Sequence, residues 1–132
     1  MPDGGFAYQP GGGSGLARTG TALLCLELSG KHGDSACSGA GDWILKNLPH
    51  NVGEGFFYYS LYYGSQAMFQ LGGAHWEKWA TNMYETMLKA QQKDGSWPQG
   101  GSSEAQAGPC YSTAMGVLAM SVSYRQLPIY QR

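Results

Sequence analysis

Charge is scarce in this chain. Asp, Glu, Lys and Arg make up 13% of its 132 residues and sum to a net charge of −1. Eight Lys and Arg scattered along the sequence form no basic footprint, so no nucleic-acid partner is expected. The same scarcity leaves little charge to keep copies apart, which favours self-association. Long apolar runs are missing too. No stretch approaches the roughly 18 residues needed to span a bilayer, and the first residues hold no apolar segment of a signal peptide. A cytoplasmic protein with no membrane span is the expectation. Cysteine is limited to Cys25, Cys37 and Cys110, an odd number with no short spacing. Free thiols buried as small hydrophobes are the expected state; one disulfide with a leftover thiol is the alternative.

Several catalytic signatures are also missing. The glycine-rich run from Pro10 to Gly15 has neither the Gly-Lys-Ser/Thr ending of a phosphate loop nor the spacing of a dinucleotide fingerprint. No serine sits in a nucleophile-elbow context. His32, His50 and His75 fall in or beside loops, far apart, and read as surface residues. No cofactor is expected.

What is present is apolar and helical. Hydrophobic residues reach 42% and aromatics 13%, ample for one packed core. The length allows one domain or part of one. Residues 1–15 read as loop. Leu23 to Leu28 is apolar almost all round and predicts a buried helix over 16–29, stopped by Gly30. Asp34 is placed to cap a second helix over 35–47, ended by Pro49 and Gly53. A third helix over 56–72 is entered through the aromatic run Phe56 to Tyr59 and broken by Gly72-Gly73. The fourth, over 74–92, carries Trp76, Trp79, Met83 and Met87 on one face and Glu77, Lys78, Asn82, Glu85 and Lys89 on the other. After a Gly/Ser/Pro-rich loop, a fifth apolar helix covers 111–122, and the tail turns at Pro128.

Overlaying the apolar helices exposes a period. Thr21-Ala22-Leu23, Gln66-Ala67-Met68 and Thr113-Ala114-Met115 occupy equivalent places, offset by 45 and 47 residues. Two helices per period of about 45 residues predict stacked helical hairpins, none able to bury its apolar face alone. The repeats run approximately over 3–48, 49–92 and 94–132. The third, first and fifth helices form an inner layer; the amphipathic second and fourth lie outside.

Gln91, Gly95 and Trp97, in the spacing Gln-x-x-x-Gly-x-Trp, resemble the core of the QW motif of squalene and oxidosqualene cyclases. Asp3-Gly4-Gly5-Phe6 looks like the tail of another copy. The chain resembles the prenyltransferase/squalene oxidase repeat proteins, whose fold is the α/α toroid, over essentially its whole length. That resemblance implies an all-α fold of about two and a half hairpins, an incomplete toroid. It also implies that Gln91 ties down its helix end while Trp97 stacks nearby. A complete toroid has about five to seven hairpins, so the chain reads as the C-terminal part of a bacterial member. Its end, Tyr124 to Arg132, resembles the terminus of such members. Exposed faces of the first and last hairpins are then expected to drive self-association.

In the toroid enzymes the reactive cavity opens at the N-terminal ends of the inner helices, where partial positive charge gathers. The register places Arg18, Tyr63 and Cys110 there, with Ala17, Tyr62 and Pro109 as neighbours; Tyr59 and Tyr111 complete the candidate ligand-binding set. The tyrosines are candidates to line an apolar pocket for an isoprenoid or lipid and to face a cation with their rings; packing within the hairpin is the plain alternative. Cys110-Tyr111-Ser112 resembles the zinc-ligating Asp-x-Cys-Tyr-Ser run of protein prenyltransferase β-subunits. Here Gly108 replaces the Asp and no His follows Cys110, so too few ligands remain for a catalytic zinc. The Asp-rich acid motif of triterpene cyclases is absent as well. The expectation is a ligand-binding domain without an intact catalytic centre in this chain. A structural or protein-interaction fragment, and part of an enzyme whose catalytic residues lie upstream, are the alternatives.

Overall fold

The computed structural model describes residues 1–124. They form five α-helices: α1 (Leu16–Leu28), α2 (Ser35–Lys46), α3 (Phe57–Leu71), α4 (Gly73–Ala90) and α5 (Gly108–Met120). Short 3-10 turns cover Ser102–Ala107 and Val122–Tyr124. Among the described residues the β structure is one isolated bridge between Ala7 and Ser14. The all-α class is as expected. No helix of the described residues is long and apolar enough to cross a membrane. The turn expected at Pro128 lies outside the described residues.

Local chemistry sets the helix limits. Asp34 caps α2, its Oδ1 accepting from Ala36 N at 2.9 Å. Gly30 stops α1 with φ near +76°, while Lys31 N bonds back to Leu26 O at 3.0 Å. Gly72 and Gly73, both at positive φ, let α3 turn directly into α4. Helix α5 starts at Gly108, earlier than the expected 111, because Pro109 fits the first turn, where its missing N–H leaves no bond unmade.

Helix α3 is the centre. It packs on α1 to one side and α5 to the other, and α2 and α4 cover one face of that row. The core lies between the two layers, with Leu23, Ile44, Tyr58, Leu61, Met68, Trp79, Met83 and Met87 fully buried. Each such side chain contributes roughly 1.5–3 kcal/mol. Helix α4 turns Trp79, Met83 and Met87 inward as predicted. Asn82, assigned to its wet face, is instead half-buried and donates to Pro49 O at 2.9 Å.

Three expectations need correction. The apolar helices are not buried all round: Leu28 on α1 and Val117 and Leu118 on α5 are exposed, because α1 and α5 end the row and, among the described residues, no helix lies on the face opposite α2 and α4. All three cysteines are free, but only Cys37 is buried; Cys25 and Cys110 are exposed on those same open sides. The roles within the Gln91–Trp97 stretch also differ. Gln91 Nε2 donates to Gly95 O within the loop, at 2.9 Å. The tie to the helix is made by Trp97, whose Nε1 donates to Met87 O at 2.8 Å.

Candidate functional site

Tyrosines four apart on a helix share a face, and Tyr59 and Tyr63 do so on α3. Their ring centroids are 4.5 Å apart, and Tyr62 meets Tyr63 edge-on at 5.1 Å. The opposite face of α3 belongs to the outer layer: a Cβ on Gly64 would strike the Trp79 ring, and Ser65 Oγ accepts from Trp79 Nε1 at 2.9 Å. The tyrosine face therefore lies on the side of the row away from α2 and α4, where the described residues place no further helix. Burial, then the neighbouring Tyr59 and Tyr62, push the Tyr63 phenol above its usual range.

Glu104, from the 3-10 turn, organises this end of α3. Helix α3 lacks a side-chain cap of its own, since Phe56 occupies the cap position. Glu104 crosses from the far loop to supply one. Its Oε2 accepts from Tyr58 N at 3.1 Å and its Oε1 from Tyr59 N at 2.8 Å. A carboxylate at a helix N-terminus satisfies otherwise orphaned N–H groups and meets favourable partial charge. Tyr111 OH also donates to Glu104 Oε1, at 3.3 Å. Burial, then the Glu104 charge, raise the Tyr111 phenol to about 12, with Tyr59 and Tyr63 adding to the effect. Tyr58 is raised to about 12 by the same two causes, and its OH donates to Pro98 O at 2.6 Å.

Arg18 stands across from the tyrosines on α1. It is exposed, with Nη2 on Gly13 O at 3.4 Å. It lies where two clefts meet. One, of about 530 Å3 and mainly apolar, is bounded by Tyr8, Ala22, Phe56 and Tyr59. The other, of about 380 Å3, is bounded by Asn47, His50, Asn51 and Glu54. The structure thus joins Tyr59, Tyr62, Tyr63 and Tyr111 into one cluster and sets Arg18 at the cleft beside Tyr59. Cys110 is exposed in the first turn of α5.

The zinc comparison can be tested on geometry. Gly108, at the place of the prenyltransferase Asp, has φ near +80° and ψ near 175°, a region essentially reserved for glycine. Among the described residues no three His, Cys, Asp or Glu gather as a metal site. The residues present do not fit a zinc centre. Protonated phenols at neutral pH and a carboxylate held by two N–H groups suit packing and hydrogen bonding.

Sequence reasoning missed Glu104. Two signals pointed to it: it is the lone acid after Asp94, and α3 begins without a capping residue. Comparison of the chain with protein-family models, curated proteins and solved structures finds no match.

Proposed function

We propose that the chain is a prenyltransferase/squalene-cyclase-like repeat domain whose inner face binds an apolar isoprenoid or lipid. In this reading the two-layer row is part of an α/α toroid, and no intact catalytic centre lies within the chain. The observation that carries it is an apolar cleft of about 530 Å3 lined by Tyr59, the member of the tyrosine cluster that meets Tyr63. Ligand sites are concave, mostly apolar and fitted with a few directed polar groups. Arg18 and the phenols supply those groups here.

Native mass spectrometry after incubation with farnesyl diphosphate, geranylgeranyl diphosphate and squalene tests the reading. Retention of one ligand, weakened by Tyr59→Ala, is expected. A protein that emerges ligand-free from all three sinks it.

A second reading, an interaction fragment that self-associates, is favoured by the exposed Val117 and Leu118. Covering apolar surface yields roughly 25 cal/mol per Å2. Sedimentation over a wide concentration range tests it, and a monomer throughout counts against it. The third reading, part of a cyclase or prenyltransferase completed from upstream, is decided by the coding sequence before Met1.

A further inference from the structure

Gln66 lies one helical turn past Tyr62 and Tyr63, on the α3 face that carries Tyr59 and Tyr63. It is only 6% exposed. Its Oε1 is buried and has no hydrogen-bond partner among the described residues. The positions matched to it in the sequence register behave differently. Thr21 Oγ1 donates to Ala17 O at 2.9 Å, and Thr113 Oγ1 accepts from Trp97 N at 3.2 Å. Both threonines are satisfied within the protein, and Thr21 also lines the apolar cleft. Gln66 alone of the three holds an unmet acceptor, one turn along α3 from Tyr62 and Tyr63. A buried acceptor left unmade is costly, and a donor brought by a ligand would relieve that cost.

We infer that Gln66 is a specificity residue of the inner face, selecting apolar ligands that carry a hydrogen-bond donor, such as terpenoid alcohols, over plain hydrocarbons and ethers. This rests on the proposed apolar binding at that face. Tyr59 and Tyr63 hold the hydrocarbon part by ring contact, and Gln66 Oε1 receives the ligand's O–H. The ether oxygen of a methylated analogue has no hydrogen to give, so it leaves Gln66 unmet while filling the same space.

The test compares farnesol with its methyl ether by intrinsic-fluorescence titration of the wild-type chain and of Gln66→Met. Wild type is expected to hold farnesol about tenfold more tightly than the ether, the size of one such hydrogen bond. In Gln66→Met that preference disappears, with farnesol weakened and the ether unchanged. Equal wild-type affinities, or a preference surviving in Gln66→Met, overturn the inference. If Gln66→Met does not fold, Gln66→Asn, which withdraws the acceptor by one methylene, and the wild-type ratio decide it. No binding of either compound to wild type sinks the binding reading itself and this inference with it.

Discussion

Trp97 Nε1 donates to Met87 O at 2.8 Å, across ten residues of chain. The bond fastens the loop after α4 onto the last turn of that helix, where Met87 O also accepts from Gln91 N at 3.0 Å. Trp97 is buried, and its ring also lies against the position of Gly116 on α5. One side chain therefore links helix end, loop and next helix. Trp97→Phe keeps most of the ring and removes the donor; a loss of about 1 kcal/mol is expected. Trp97→Ala adds a large cavity and should cost about 3–5 kcal/mol. Urea unfolding of both variants measures the difference. A Trp97→Phe variant as stable as wild type would mean that the hydrogen bond contributes nothing.

Asp94 bends the same loop. Its Oδ1 accepts from Ser96 N at 3.0 Å, while Gly95 takes φ near +87°. The Ser96 hydroxyl and then the Ser96 N–H hold the Asp94 carboxyl below its ordinary value of 3.8. A depressed folded-state value stabilises the fold above 3.8 and loses that contribution as pH falls through the folded value. Asp94→Asn should therefore be less stable than wild type at neutral pH, with the gap closing in acid. A gap that stays constant down the acid limb of a urea–pH series would contradict this.

How much of this was legible in sequence depends on whether the signal was local. Asp34 as a cap, Gly30 as a stop and the Trp79–Met83–Met87 face of α4 were readable because each acts within a turn or two of itself. The turn chemistry recurs as well: Asp3, Asn51 and Asp94 each accept from the N–H two residues on, at intervals of about 45 residues. Tyr59 and Tyr63 share a face of α3, as their spacing of four dictates. Glu104 was not readable in this way, since its partners Tyr58 and Tyr59 lie 46 and 45 residues away. Exposed apolar residues on α1 and α5 were foreseen only through the resemblance to an incomplete toroid, because burial of an apolar helix depends on neighbours it does not contain.

Close approach of the inner helices depends on two glycines. A Cβ on Gly20 would come within 3.0 Å of Gly64 N, and one on Gly64 would lie 2.5 Å from the fully buried Trp79 ring. Trp79 cannot withdraw freely, since its Nε1 is bonded to Ser65 Oγ. Overpacking of this kind costs about 1–3 kcal/mol. Gly64→Ala should be destabilised by that amount in thermal unfolding. Gly73→Ala serves as a comparison, because its Cβ position is open and only its φ near +52° opposes it.

Thiol accessibility separates the three cysteines. Cys25 and Cys110 are exposed, whereas Cys37 is buried with Sγ 3.3 Å from Lys31 O. A small disulfide reagent should label two thiols per chain rapidly under native conditions and the third only at the rate of opening or unfolding. Three equally fast thiols would contradict the placement of Cys37, and one fast thiol would show that Cys25 or Cys110 is covered in solution.

Glu104 couples the cap of α3 to the ionisation of two phenols. Removing it with Glu104→Ala leaves Tyr58 N and Tyr59 N without partners, a loss of about 1–2 kcal/mol on the scale of helix caps. Glu104→Gln separates charge from shape. The phenols of Tyr58 and Tyr111 stand at about 12, raised first by burial and second by the Glu104 carboxylate. Neutralising Glu104 should lower both, yet not to the ordinary 10, because the burial contribution stays. In wild type the raised folded-state values mean that unfolded tyrosines ionise first as pH climbs from 10 towards 12. The stability they contribute is complete below 10 and is lost across that window. Spectrophotometric titration of tyrosinate, run beside urea unfolding at alkaline pH, reads both effects. Unmoved phenols in Glu104→Gln would assign the whole shift to burial and remove Glu104 from the electrostatics of the cluster.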